Sequence, residues 1–238
     1  MALVTYDAEP EGHDDVPWAL QVVVRVERDP APQHLGVLRA TASAVVLALD
    51  TFTGADADED VRARTERWRS GPIRKVVRRA RGAGWTRQLA VPGVFVRAAS
   101  DGAGAEVSPG VDVAVHVPGR VDEVHPEVAR LQVGGLTLED TGPVAAADAP
   151  VELVLNPHVP MTTGKAAAQV GHAAQLVLES VPVDVAAGWV ADGAPVRVRP
   201  GRTDEWDALL AAAPVVVQDG GFTEVEPGTV TVVATHPW

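Results

Sequence analysis

The chain has 238 residues, 46% hydrophobic and 22% charged, the proportions of a globular protein with room for one large domain or two small ones. It contains no cysteine, which excludes disulfides and thiolate metal sites and fits the cytoplasm, where we expect the protein to reside. No apolar run reaches the ~20 residues of a membrane span, and the acidic, flexible tail 1–16 is no signal peptide, so we expect no membrane partner. The seven histidines lack ligand-like spacing with carboxylates, so we expect neither a metal nor a cofactor.

The net charge of −12 is unevenly distributed along the chain. Between Arg62 and Arg87 lie ten of the twenty basic residues and a single acid, Glu66, so this window carries +9 and the remainder −21. Two interpretations stay open. Either a local basic surface binds phosphates, or these are solvated faces that the acidic run 56–60 partly neutralises.

The first half of the chain predicts alternating strands and helices. A valine-rich run is typical of a buried strand, and aspartate before a helical pattern is typical of an N-cap. The expected order is a strand at Trp18–Val26, helices at Gln33–Leu49 and from Asp58 or Asp60 to Trp68, a strand at Ile73–Arg78, an irregular turn within Arg81–Ala90, strands at Val94–Arg97 and Val111–Val117, and a helix at Asp122–Leu131 before an extended end.

The second half predicts a similar order: Glu152–Leu155, Thr163–Glu179, Val185–Ala191, Val196–Arg199, Asp204–Ala213, Val215–Val217 and Val230–Ala234. Residues coincide as well. The segment 101–110 overlies 219–228 at a constant offset, with Asp, Gly, Glu, Val, Pro and Gly identical, and Trp68 parallels Trp189. We therefore expect an α/β fold of two tandem small α/β units with mixed β-sheets flanked by helices, joined through about 134–150. Two unrelated α/β units are the alternative.

A helix that begins near Met161 carries the polar residues of most interest. Thr162 or Thr163 can cap it, and the alanines that follow favour helix. Lys165, Gln169 and His172 fall on one face near the helix N-terminus, where free N–H groups favour anions. The alternative is a capped core helix with Lys165 in water. The stretch is not a P-loop, because Val159 and Ala166 stand where that motif needs glycine and a hydroxyl.

Two blocks of this half resemble the class II (archaeal and eukaryotic type) peptidyl-tRNA hydrolases. The first matches the family's Met-x-x-Gly-Lys-x-Ala-Ala-Gln-x-x-His-Ala at Met161, Gly164, Lys165, Ala167, Ala168, Gln169, His172 and Ala173. The second, Asp219–Thr229, is similar to Asp-Ala-Gly-x-Thr-x-x-x-Pro-Gly-Thr. The resemblance covers roughly 150–238 and implies hydrolysis of the ester between peptide and tRNA, with peptidyl-tRNA as the partner.

The resemblance also implies roles for residues in both blocks. Ester hydrolysis needs a positioned water and donors for the oxyanion. Asp219 would hold water, oriented by Thr223; because it is paired with Lys165, an electrostatic role suits it better than that of a general base. Lys165 would stabilise the oxyanion or a ribose-phosphate charge. Thr229 would contact substrate or support Asp219, and Gln169 and His172 would support the site. For His172, a packed helix residue is favoured over a general base. Asp219 as a plain Asp-Gly turn former is the alternative.

The two halves are not equivalent. Around Gly36, the place of Lys165, the first half has no Lys, Gln or His at the matching positions, although it keeps Asp101. Because the family commonly forms homodimers, the resemblance implies a single-chain pseudo-dimer: a degenerate hydrolase-like domain at 17–140 and an active one at 150–238. We favour a monomeric pseudo-dimer over a homodimer.

The second half departs from the family where a basic residue is usual. It has Asn156-Pro157-His158 in place of Arg-x-Asp, and Phe222 stands where a basic residue is common. We therefore expect Arg74, Lys75, Arg78 and Arg79 of the first half to supply the tRNA contacts. Two alternatives remain: a non-catalytic RNA- or protein-binding module on the same fold, and an esterase for another aminoacyl or peptidyl ester.

Overall fold

A computed structural model describes residues 16–98, 110–141, 148–221 and 223–238. The expectations for the tail 1–15, for Asp101 and for Phe222 lie outside the described residues. The first half contains β1 (Trp18–Arg25), α1 (His34–Thr53), α2 (Glu59–Arg69), β2 (Lys75–Ala80), α3 (Gly82–Gln88), β3 (Gly93–Ala98), β4 (Val111–His116), β5 (Gly119–Arg120), α4 (Pro126–Ala129) and β6 (Gln132–Val133). The second half contains β7 (Val151–Leu155), α5 (Thr163–Ser180), α6 (Val183–Ala191), β8 (Val196–Pro200), α7 (Trp206–Ala212), β9 (Val215–Gln218) and β10 (Val230–Thr235).

The two sheets repeat one strand order. In the first, β3-β4-β1-β2-β6 are neighbours and β5 pairs with β1; in the second the order is β8-β7-β10-β9. Strand β1 is parallel to β2 and antiparallel to β4, as β7 is parallel to β8 and antiparallel to β10. Strands β4 and β10 each also pair antiparallel with the strand that precedes them in sequence, β3 and β9. The expected mixed α/β fold with two sheets is confirmed, and it is consistent with two tandem α/β units.

Helices α1 and α5 pack against each other and join the halves through a shared apolar core. The contact is close at Gly171, where an added Cβ would lie 3.1 Å from Val45 Cγ2. Polar contacts border this core: Ser43 Oγ donates to the carbonyl of Ala194 at 2.8 Å, and Arg69 pairs with Glu179 at 2.8 Å. The halves therefore share their largest hydrophobic core, while each also has a smaller buried cluster of its own.

The segment 134–141, which we call the strap, lies across the starts of both central helices. The carbonyl of Leu136, itself buried in the shared core, accepts from Gly164 N at 3.1 Å. Asp140 Oδ1 accepts from the N–H of Leu35 at 3.0 Å. Besides joining the halves, the strap satisfies N–H groups that a helix start leaves unpaired.

Two local predictions are wrong. The expected turn around Gly82 and Gly84 is helix α3, because Trp85 is buried beneath the first sheet and its packing outweighs the low helix propensity of glycine. The helix expected over Asp122–Leu131 is reduced to the single turn α4, which Val128 anchors by burial.

Helix α1 is the one described helix that is long and apolar enough to cross a membrane. Within its most apolar window, however, 67% is buried inside the protein. Its apolar character is accounted for by packing against α5 and the strands of the first sheet.

Candidate active site

The start of α5 is capped from within the protein. Thr162 is the N-cap residue, and its Oγ1 accepts from the N–H of Lys165 at 3.2 Å. The N–H of Gly164 is taken by the strap. The expectation that free N–H groups here bind an anion is therefore wrong for these two amides, and the side chain of Lys165 is left as the cation of this helix turn.

Lys165 and Asp219 meet in a buried ion pair. Asp219 follows β9, and Lys165 Nζ donates to its Oδ2. Side-chain exposure is 9% for the lysine and 4% for the aspartate, so the pair is screened little by solvent. The same Nζ donates to Thr223 Oγ1 at 3.0 Å. The structure thus brings together three of the residues expected at the site, from one helix start and one loop.

Gln169 completes the contacts of the carboxylate. Its Nε2 donates to Asp219 Oδ2 at 2.9 Å, while its Oε1 accepts from Thr231 Oγ1 at 2.6 Å. Thr231 on β10 is fully buried and so fixes which end of the amide faces Asp219. Thr231 was not predicted from the sequence. It lies two residues after Thr229, and that spacing was the available signal.

The loop 219–229, which we call the site loop, is held by its own main chain. The N–H of Asp219 donates to the carbonyl of Thr229 at 2.9 Å, and Gly228 N donates to the carbonyl of Asp219 at 2.7 Å. Gly221 donates to Asp219 Oδ1 at 2.8 Å with φ of 75°. An added Cβ there would lie 2.3 Å from Pro227, so only glycine fits. Thr229 therefore supports Asp219 through the main chain.

His172 lies away from Asp219. It is two turns further along α5, roughly 10 Å along the helix axis from Lys165, and its Nδ1 is 3.3 Å from Lys75 Nζ of the first half. Burial and the neighbouring Lys75 hold the pKa of His172 well below its usual value, so the ring is neutral at neutral pH. Sharing a helix face with Lys165 did not bring this imidazole to the ion pair.

Lys75 is enclosed where the two halves meet. It donates to Gln175 of α5, and its Nζ lies 5.0 Å from the centre of the Trp68 ring. Burial lowers the pKa of Lys75 to about 7, although Glu179 opposes the shift. The chain contains two lysines. Lys75 contacts Gln175 of α5, and Lys165 belongs to α5 itself and contacts Asp219.

The four basic residues expected to bind tRNA do not share one surface. Successive side chains of β2 point to opposite faces of the sheet, so Lys75 and Arg79 lie opposite Arg78 and the preceding Arg74. Arg78 donates to the carbonyl of Leu131 at 3.0 Å and thereby attaches the residues that follow α4 to β2. The basic stretch is therefore divided between two faces.

Asn156 stands where the resemblance places an arginine, and it connects the end of β7 to the start of β10. Its Nδ2 donates to the carbonyl of Val230 at 2.7 Å, and its Oδ1 accepts from the N–H of His158 at 2.9 Å. Asn156 therefore contributes to the shape of this end of the sheet without adding charge.

Within the described ranges, no three His, Asp or Glu side chains are grouped so that they could hold a metal ion.

Comparisons with known proteins bear on the C-terminal half. A search of curated proteins finds no match. The family model of the peptidyl-tRNA hydrolase PTH2 does match, over residues 151–238, which span the ion pair, the site loop and the second sheet. The resemblance is confirmed for this part of the chain: the C-terminal residues 151–238 match the peptidyl-tRNA hydrolase PTH2 family.

Proposed function

We propose that the C-terminal half hydrolyses the ester that joins a peptide to tRNA. Water adds to the ester carbonyl, the bond to the ribose oxygen breaks, and the products are a free peptide carboxylate and a tRNA with its ribose hydroxyl restored. The observation that carries the proposal is the buried pair of Lys165 and Asp219 inside the segment that matches the family.

Asp219 is suited to hold the attacking water. Its Oδ2 accepts from Lys165 and Gln169, whereas Oδ1 accepts from Gly221 N in the described part of the chain. A carboxylate oxygen can accept more than one hydrogen bond, so Oδ1 can also accept a hydrogen bond from water. Three fixed donors set the direction of the carboxylate before substrate arrives, which is the preorganisation that catalysis requires.

Lys165 is suited to stabilise the oxyanion. An ammonium group has three protons, and two of them are directed to Asp219 and Thr223. The third can be directed at the carbonyl oxygen as negative charge develops there. Because the nearby amides of Gly164 and Lys165 are already bonded, we assign this role to the side chain and not to the helix start.

For the first half we propose a diverged, inactive copy of the same unit. The shared strand order supports this origin, and Gly36 stands where the second half has Lys165. Its contribution would be the shared core and the strap, which would make the protein a monomeric pseudo-dimer. Light scattering after gel filtration should give the mass of one chain; the mass of two would contradict this proposal.

The activity can be tested by release of a labelled N-acetylaminoacyl group from tRNA. Wild type should release it in many turnovers, and Lys165→Ala should lose at least about 100-fold in kcat, the scale of one removed oxyanion donor. Inactive wild type that still binds tRNA would overturn the hydrolase and favour the non-catalytic RNA-binding module. Release of acyl groups from other esters, but not from tRNA, would favour the other esterase.

A further inference from the structure

We propose that Glu224 is a positioning residue that fastens the site loop to the first turn of α5 and acts on the reaction through Thr162 and Lys165. The inference rests on the proposed function, since it names a further residue on which that site depends. Glu224 itself is exposed and touches neither Lys165 nor Asp219 in the described contacts.

Glu224 contacts Thr162 through both of its carboxylate oxygens. Glu224 Oε2 accepts from the N–H of Thr162 at 3.0 Å, and Oε1 accepts from Thr162 Oγ1 at 2.7 Å. Hydrogen bonds to an ionised carboxylate are stronger than neutral ones, and a negative group is favoured at a helix N-terminus. This carboxylate therefore joins two segments that are 62 residues apart in sequence.

Thr162 passes the constraint on to Lys165. A hydroxyl can donate one hydrogen bond, and that of Thr162 donates to Glu224. The lone pairs of Thr162 Oγ1 are then left to accept from Lys165 N. The neighbouring residue of the site loop, Thr223, contacts the Nζ of the same lysine. Glu224 and Thr223 thus hold both the main chain and the side chain of Lys165 from one loop.

Among the described residues of the site loop beyond Gly221, Val225 is buried, at 8% exposure, while Thr223, Glu224 and Glu226 are exposed. Losing the contact to Thr162 should therefore leave the loop attached at Asp219, Thr223 and Val225 but no longer bonded to the main chain of the helix start. A shift of 1 Å at reacting groups is enough to change rates by up to about 100-fold.

Activity gives the first test, with Glu226→Ala as the matched control because it removes the same charge from the same loop. Glu224→Ala should lower kcat roughly ten-fold or more without raising KM for N-acetylaminoacyl-tRNA. Glu224→Gln, which keeps one acceptor for Thr162, should recover part of that loss, and Glu226→Ala should leave kcat unchanged. Equal kcat values for the two alanine variants would overturn the inference.

The second test does not depend on activity. Because the chain has two lysines, labelling with lysine enriched in ¹³C at Cε gives two side-chain NMR signals, and Lys165→Met identifies one of them. Glu224→Ala should shift the Lys165 signal and speed amide exchange at Lys165, while the Lys75 signal stays in place. An unmoved Lys165 signal would overturn the inference. Inactive wild type with a moved signal would instead reject the hydrolase and retain the positioning contact.

Discussion

Trp68 and Trp189 make the same hydrogen bond in the two halves of the chain. Each indole Nε1 donates, at 3.0 Å, to the carbonyl six residues further along, that of Arg74 or of Pro195. Each carbonyl immediately precedes the strand that runs parallel to the first strand of its sheet. The bond therefore fixes α2 to the start of β2, and α6 to the start of β8, in the same way, which supports the proposal of two related units.

The shared core predicts that the second half is not stable alone. In the whole chain, residues such as Ala167, Val170 and Ala174 of α5 are buried in a core that includes α1. Expressed as residues 148–238, the second half would expose this face to water. We expect aggregation or a non-cooperative urea transition by circular dichroism, with recovery when both halves are expressed together. A cooperative, monomeric 148–238 would contradict the shared core.

Gly171 should be sensitive to size because of the helix contact. A side chain there would meet Val45, so Gly171→Leu should lower the free energy of unfolding by about 1–3 kcal/mol, the usual cost of overpacking. Gly188→Leu in α6 is the control, since no atom lies within 4 Å of an added Cβ there and leucine favours helix. Urea unfolding of both variants measures the difference. Equal stability would place Gly171 outside the close contact.

The sequence predicted most elements because their patterns are local. A valine-rich run predicted β1, and an alanine-rich stretch after a capping threonine predicted α5. Helix α3 was missed because its glycines suggest a turn, while the burial of Trp85 that stabilises the helix depends on the finished sheet. Local propensity does not contain that information.

The site was predictable to the extent that it lies in recognisable motifs. Lys165, Gln169 and Asp219 were identified in this way, and the structure brings them together. Thr231 was not, because a threonine among valines looks like any strand residue until the register of β10 is known. Lys75 was expected to face tRNA, but the packing of α5 onto the first half encloses it.

Lys75 should make stability depend on pH. Its pKa is about 7 in the folded chain and 10.5 in the unfolded one, so between these values the unfolded state binds more protons. The free energy of unfolding should therefore rise with pH from about 7 to 10.5, by at most ~1.4 kcal/mol per pH unit. Urea unfolding across this range, compared with Lys75→Met, measures the effect.

The same lysine offers an independent check. In the protein labelled with ¹³C at lysine Cε, the Lys75 signal should titrate with a midpoint near pH 7. If Lys75→Met leaves the pH dependence of stability unchanged, and the Lys75 signal titrates only near pH 10, the enclosed amine would be refuted.

Thr231 should affect activity through Gln169. In Thr231→Val the shape is kept, but Gln169 Oε1 loses its donor, and the amide loses one of the two contacts that orient it toward Asp219. We expect a loss of about 1–3 kcal/mol in the free energy of unfolding and a lower kcat, whereas Thr231→Ser, which keeps the hydroxyl, stays near wild type. Full activity in the valine variant would show that the amide direction does not matter.

The most direct measurement is the single-turnover rate of N-acetylaminoacyl-tRNA hydrolysis by Asp219→Asn, with folding checked by circular dichroism. The side chain keeps its size but loses the charge that faces Lys165 and one of its two acceptor oxygens. We expect the rate to fall at least about 100-fold in a folded protein. A folded Asp219→Asn that hydrolyses the ester at the wild-type rate would contradict a catalytic role for the buried pair.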